Sequence, residues 1–296
     1  MALNNSNNKK PHIGFVGFGQ MGQPMAKNLL KAGYFITGFN RSEKSVRQIK
    51  HRGLTIATTP KQVAKNSQVI ILMLPSDKET EKIIFGYKGM ISGLNRGSII
   101  IDMSTSNPEK VKKIANRLKK INVKYLDAPV SRGRQAAMTG TLSIMVGGNK
   151  SLFQKCLPIL KAMGGSIFYI GPLGSGLYVK VFNNFLFAIN MLAGAQGLTI
   201  LRKQKVNLEK AINVISISSG SNTALVESIG HLLNIKHPQM GFYLKHMYKD
   251  IKIFNDIARN SKVTQSYIAP TLKYYKRFSK STQYYDIMYI YEHLKK

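Results

Sequence analysis

The segment His12-Ile13-Gly14-Phe15-Val16, followed at once by Gly17-Phe18-Gly19-Gln20-Met21-Gly22, restricts this chain more than any other stretch. The short apolar run reads as a buried strand. The amphipathic stretch behind it, with Met25, Leu29 and Leu30 on one side, reads as a helix. A G-x-G-x-x-G pattern alone is a weak signal, but between strand and helix it marks a turn shaped for a dinucleotide. The first glycine permits the tight turn, the second admits a pyrophosphate, and the third lets helix and strand pack closely. Amides at the helix start then meet the phosphate charge. Gly17, Gly19, Gln20, Met21 and Gly22 are therefore the first candidate cofactor residues.

The βα rhythm continues downstream. A strand from Phe35 to Phe39 ends at Asn40-Arg41-Ser42, where an NAD enzyme would place a ribose-binding carboxylate. A guanidinium and a hydroxyl can instead bind a 2′-phosphate, which favours NADP and leaves NAD possible. The competing reading of Arg41 is a surface arginine in a basic protein. Further strands are expected at Leu54 to Ala57, Gln68 to Leu74 (stopped by Pro75), Ser98 to Asp102, Lys124 to Leu126, Thr141 to Val146 and Ser166 to Ile170. Gly147-Gly148 and Gly164-Gly165 mark breaks between them. Alternating strands and helices predict a doubly wound parallel sheet covered on both faces. Ligands bind beyond the carboxyl ends of such strands, so Leu74, Pro75 and Thr105 are placed to line the cofactor.

From Gly174 the character changes to leucine, isoleucine and methionine at helical spacing, with no convincing strand. Gly174-Ser175-Gly176 opens the longest helix, nearly uncharged from Phe185 to about Ile200. A helix apolar all round is expected to be buried on all sides. Lys180 and Asn184, about one turn apart near its head, share one side. A buried ammonium there is costly unless hydrogen-bonded or used, although a lysine snorkelling from a core helix end is the alternative. The organisation is thus an α/β Rossmann-type doubly wound domain, residues 1–173, and an all-α domain, residues 174–296. Turns are expected near Ser218 to Asn222, His237-Pro238 and Ala269-Pro270. The helix's apolar girth exceeds what one small domain covers, which points to a homodimer or homotetramer.

Composition sets the remaining bounds. The length of 296 residues fits two domains, and 44% hydrophobic residues suffice for packed cores. Cys156 is the only cysteine, so an intrachain disulfide and a thiolate cluster are excluded. The six histidines show no ligand spacing, so no metal is expected. The Asn-rich start lacks the apolar core of a signal peptide, and Phe182 to Leu201 is too interrupted for a persuasive membrane span. A cytoplasmic protein without a membrane partner is expected. With 44 Lys plus Arg against 13 Asp plus Glu the formal charge is +31, which attracts anions from phosphorylated cofactors to nucleic acid. The lysines are spread along the chain rather than gathered in one block, which argues against nucleic acid as the partner.

These residues together resemble the β-hydroxyacid dehydrogenase family, which includes 3-hydroxyisobutyrate dehydrogenases and tartronate semialdehyde reductases. The likeness covers nearly the whole chain in order: Gly14 to Gly22 with Met25 and Asn28; Asp127-Ala128-Pro129-Val130-Ser131 on through Gly140-Thr141-Leu142 to Met145-Val146-Gly147-Gly148; Gly174 to Asn184; and Phe242 to Asp250. The resemblance implies hydride transfer between a nicotinamide and a carbon bearing a hydroxyl or aldehyde, β to an acid group, in a small acidic substrate. It makes Lys180 the proton donor and acceptor, and a desolvated lysine has the lowered proton affinity this role needs. Asn184 would fix the substrate and the lysine, Ser131 and nearby amides would hold the acid group, and Lys249 would close over the cofactor. Where the family usually continues with two glycines after the serine, this chain has Ser131-Arg132-Gly133, and Ala136 replaces a later glycine. That loop is similar to the one in sulfolactaldehyde reductases, implying a more acidic or sulfonated substrate held by Arg132; the competing reading turns Arg132 to solvent or to the cofactor phosphates. Imine reductases share the architecture but typically lack the lysine. A dehydrogenase-like module without catalysis, binding nucleic acid through its basic surface, is the alternative from another class.

Overall fold

The computed structural model describes residues 10–229, 241–281 and 285–294. The chain divides into two compact units, Met1–Lys180 and Val181–Lys296. His237-Pro238, expected as a turn, lies outside the described residues.

In the first unit a nine-stranded sheet has the order β3-β2-β1-β4-β5-β6-β8-β7, with β9 beside β8. The strands are β1 (Ile13–Val16), β2 (Ile36–Phe39), β3 (Leu54–Ile56), β4 (Val69–Leu72), β5 (Ile99–Asp102), β6 (Lys124–Asp127), β7 (Val130–Ser131), β8 (Leu142–Gly147) and β9 (Gly164–Gly171). Helices α1 (Gly22–Lys31), α2 (Glu43–Arg47), α3 (Pro60–Lys65), α4 (Asp77–Phe85), α5 (Pro108–Lys119), α6 (Gly133–Thr139) and α7 (Lys150–Lys161) connect them. Successive strand residues point to opposite faces, and both faces are covered. Ile13, Ile71, Ile101 and Leu126 join Met25 and Leu29 of α1 in one core, which also holds Cys156. Val16, Ile70, Leu72 and Ile100 join Val111, Ile114 and Leu118 of α5 in the other. Apolar runs without alternation are what such doubly covered strands require.

Two expectations for the sheet need correction. The sheet is mixed: β8 runs antiparallel to both β6 and β7. The connection at residues 132–141 carries only the short α6, less than a parallel crossover uses. Gly164-Gly165, expected between strands, is already part of β9, and a Cβ at Gly164 would lie 2.6 Å from Ile144 Cδ1 and 2.8 Å from the Leu142 carbonyl oxygen.

The second unit is helical. The longest helix, α8 (Ser175–Lys203), begins in the first unit and ends in this one. It is followed by α9 (Leu208–Ser216), a π-helical segment (Ala224–Ile229), α10 (Leu244–Asn260), α11 (Ile268–Phe278) and α12 (Ile290–Leu294). Phe185, Ala188, Met191, Leu192, Ala195 and Leu198 of α8 pack with Leu244, Met247 and Ile251 of α10 and Tyr275 and Phe278 of α11. The Tyr275 hydroxyl donates to the Ala188 carbonyl at 3.1 Å, which pins α11 to α8. Pro270 does not make the expected turn. It lies in the first turn of α11, where its missing N–H has no intrahelical partner to lose.

Within one chain α8 is not buried on all sides. Its buried positions, from Leu177 through Lys180, Val181, Asn184 and Phe185 to Leu198, form one stripe at helical spacing, while Tyr178, Val179, Phe182, Leu186 and Ile200 are exposed. By length and composition α8 could cross a membrane, but its apolar stripe lines the cores just described, and it carries Lys180, Asn183, Asn184, Asn190 and Gln196.

At the head of α8 sits Asp127, the last residue of β6 and fully buried. Its Oδ1 accepts the Gly174 N–H at 2.6 Å and its Oδ2 the Leu177 N–H at 3.0 Å. Burial pushes this carboxyl from 3.8 up to about 6, with the neighbouring Asp102 adding to the rise and the two N–H groups pulling it back. The folded state therefore holds this proton where the unfolded chain has released it. Asp127's contribution is most favourable below about pH 4 and falls by roughly 2 kcal/mol between pH 4 and 6. In thermal melts at pH 4 and pH 6, Asp127→Asn is expected to lose this share of the decline, so that the variant's melting temperature changes less between the two. Identical changes in wild type and variant would contradict the assignment.

Candidate active site

The glycine-rich turn between β1 and α1 is dictated by sterics at two of its three glycines. Gly17 has φ +103°, and a Cβ there would lie 2.1 Å from the Met73 carbonyl oxygen. A Cβ on Gly22 would lie 1.8 Å from the Gly17 carbonyl oxygen. Around Gly19, by contrast, a Cβ would meet nothing within 4 Å. The residue is exposed beside a helix start, where first-turn amides lack intrahelical acceptors. Open space at the second glycine and crowding at the first and third fit a bound diphosphate. Gln20 is exposed, and Met21 packs against the core. Asn40 ties the turn to the end of β2: its Oδ1 accepts the Phe18 N–H at 3.0 Å, and its Nδ2 donates to the Ser42 carbonyl at 2.9 Å. Arg41 and Ser42 beside it are exposed.

A second hydrogen-bonded group fixes the loops after β4 and β5. Asp102 ends β5, directly opposite Asp127 in the parallel register with β6. Its Oδ1 accepts the Ser104 N–H at 3.0 Å and its Oδ2 the Tyr125 hydroxyl at 2.7 Å. The Ser104 hydroxyl in turn accepts the Leu74 N–H at 2.9 Å. Leu74 and the loop carrying Thr105 are thereby held together, both half-buried, with Pro75 exposed next to them.

The next candidate segment is Ser131-Arg132-Gly133. Ser131 ends β7 opposite Ser143, and Arg132 and Gly133 both have left-handed backbone, φ +81° and +67°. Arginine in that region costs on the order of 1–3 kcal/mol, which explains why glycine is the usual occupant. Arg132 is exposed and Gly133 begins α6. Ala136, where the family's glycine would stand, is buried within α6. The Asn28 side chain of α1 donates to the Ala137 carbonyl at 2.8 Å, linking α1 to α6.

Lys180 and Asn184 lie one turn apart on the buried stripe of α8, 8% and 4% exposed. Within the helical unit, Asn184 Nδ2 donates to Asp250 Oδ2 at 2.7 Å, and the Lys249 ammonium lies 2.8 Å from Asp250 Oδ1. Asn183 donates to Asn184 Oδ1 at 3.3 Å. Asn184 and Lys249 are thus brought together through Asp250, a residue the sequence reading named without a role. Its signal was there to find: an acid beside Lys249 on the apolar side of an amphipathic helix, in a chain poor in acids.

This arrangement can now be set beside known proteins. Residues 12–171 match the family profile described as the NAD binding domain of 6-phosphogluconate dehydrogenase. Residues 174–292 match the one described as NAD-binding of NADP-dependent 3-hydroxyisobutyrate dehydrogenase. The chain is 33% identical over 259 residues to mitochondrial 3-hydroxyisobutyrate dehydrogenase of Mus musculus, covering 86% of this chain and 77% of that protein. It is 32% identical over 247 residues to 3-sulfolactaldehyde reductase of Escherichia coli, covering 83% of each. Among solved structures, Mycobacterium tuberculosis 3-hydroxyisobutyrate dehydrogenase with L-serine superposes with a TM-score of 0.85 at 24% identity, over 97% of this chain and all of that one. With the glycine turn, the mixed sheet and the lysine-bearing helix already in hand, these likenesses assign the chain to the β-hydroxyacid dehydrogenase family of NAD(P)-dependent oxidoreductases.

Proposed function

We propose that the protein is a cytoplasmic, NADP(H)-preferring oxidoreductase that transfers a hydride between the nicotinamide and a short β-hydroxyacid or its semialdehyde. The observation that carries the reading is Lys180, buried on the same stripe of α8 as Asn184, with the Asn184 amide oriented by Asp250. The nicotinamide, when bound, supplies or accepts the hydride at the substrate carbon. Lys180 Nζ gives a proton to the carbonyl oxygen during reduction and takes it back from the hydroxyl during oxidation. Asn184, with one end of its amide engaged by Asp250, orients the substrate oxygen toward that lysine. Ser131 and the left-handed amides at Arg132 and Gly133 hold the acid group. Gly17 to Gly22 would bind the diphosphate, Leu74, Pro75 and Thr105 would line the cofactor, and Lys249 would contact it.

Two features bear on specificity. The exposed Arg41-Ser42 pair supports binding of a 2′-phosphate, since Asn40 is engaged with the turn. Arg132 holds a costly backbone conformation in a place open to solvent, which supports a role in contacting an anionic group, a sulfonate or a second carboxylate. The exposed apolar face of α8, with Phe182 47% and Leu186 43% exposed, supports a second copy covering it in a homodimer or homotetramer.

Following NADPH and NADH oxidation across succinic, tartronate and methylmalonate semialdehydes and sulfolactaldehyde tests the reading. Lys180→Ala is expected to lower kcat by about 10²–10⁴-fold on the best substrate; a variant as active as wild type would remove Lys180 from the chemistry. Arg41→Asp is expected to raise KM for NADPH by roughly tenfold or more while sparing NADH, as loss of a charge-assisted phosphate contact requires. Equal effects on both cofactors would contradict the NADP preference. Light scattering is expected to give a mass at least double the 33.1 kDa of one chain, and a monomer at micromolar concentration would contradict the assembly.

A further inference from the structure

We propose that Asp127 is a positioning residue of the reaction, its carboxylate setting where the first turn of α8 sits and so where Lys180 presents its ammonium. The inference rests on the reading of Lys180 as proton donor. The seat is built from backbone and admits little play. The two Asp127 oxygens diverge to two N–H groups three residues apart, Gly174 at 2.6 Å and Leu177 at 3.0 Å. A negative charge at a helix N-terminus is stabilised there by the unpaired amides and the helix dipole. Glycines crowd the carboxylate: a Cβ at Gly147 would lie 2.4 Å from Oδ1, and one at Gly176 would lie 2.9 Å from Oδ2 and 2.2 Å from the Met145 carbonyl oxygen. The helix is therefore held at Gly174, Gly176 and Leu177, and the Leu177 side chain is buried in the core on the α5 face.

Lys180 lies three residues beyond Leu177 on the same rigid element. A helix transmits displacement of its first turn to its second. Misplacing a reacting group by about 1 Å can cost on the order of 10²-fold in rate. Both carboxylate oxygens are needed, because an asparagine in this place offers one acceptor and turns an N–H toward the second amide. Asp102, next to it in the register, cannot substitute, since its own oxygens serve Ser104 and Tyr125.

The test compares wild type, Asp127→Asn, Gly147→Ala (which leaves the carboxylate but pushes on it) and Lys180→Ala. Each is measured for kcat, for NADPH affinity by fluorescence, for melting temperature, and for the Lys180 ¹³Cε resonance, assigned by its loss in Lys180→Ala. Asp127→Asn and Gly147→Ala are expected to lower kcat by about 10- to 100-fold, to keep NADPH affinity within about twofold, and to displace the Lys180 resonance. If one variant does not fold, the other decides. Folded variants with wild-type kcat and an unmoved resonance overturn the proposal, as does a fall in NADPH affinity in step with kcat. Loss of the fold in both variants also overturns it, since the carboxylate would then serve folding itself. An inactive wild type, or an active Lys180→Ala, would instead defeat the functional reading from which this inference starts.

Discussion

The two hydrogen bonds from the Gly174 and Leu177 amides to Asp127 join the end of β6 to the head of α8. From there α8 runs out of the α/β unit, and its later residues line the core of the helical unit. Without a buried acceptor in that place, the first-turn amides of the chain's longest helix would face a packed interior unpaired, at a cost of roughly 1–3 kcal/mol each. The carboxylate that prevents this is itself costly to bury, which is why its proton is held up to about pH 6. At neutral pH it is ionised and the seat is complete.

The same device recurs through the molecule. In a chain with 44 basic and 13 acidic residues, carboxylates are scarce, and several of those present are buried as organisers of backbone or side chains. Asp102 fixes the loop after β5, and through Ser104 it fixes the loop after β4. Asp250 orients Asn184 and engages Lys249. Asp286 accepts the Gly241 and Met288 amides and so ties together segments of the helical unit. Asp102, Asp127 and Asp250 each stand next to residues read as cofactor or substrate contacts, or hold the element that carries them.

What could be read from the sequence follows the range of the interaction involved. The glycine turn was legible because its pattern is local: a Cβ at Gly22 would meet the Gly17 carbonyl within the motif itself, and Gly17 carries the positive φ that glycine tolerates. Lys180 and Asn184 were legible because helical spacing alone puts them on one side. The pairings of the organising acids were not, since Asp127 meets partners 47 and 50 residues away and Asp250 meets one 66 residues away; for Asp250 only its place on the apolar side of its helix could be read. The strand order after β6 also escaped, because a short helix between β7 and β8 permits the antiparallel return that a longer crossover would not. Pro270 was misread for a related reason: proline signals a break in a helix interior but is compatible with a first turn. The expectation of an α8 buried on every side came from its composition, which describes what a helix could bury and says nothing about which face the rest of one chain covers.

The most direct test of direct hydride transfer to the substrate carbon is isotopic. NADPH deuterated at C4 on one face, then on the other, would be incubated with the semialdehyde that turns over fastest, and the hydroxyacid product analysed by mass spectrometry and NMR. One of the two labelled cofactors should deliver a single deuterium to the carbinol carbon, with none washed in from heavy water used as solvent in the converse experiment. A product carrying no cofactor deuterium, or carrying solvent deuterium at that carbon, would contradict the reaction assigned to this site.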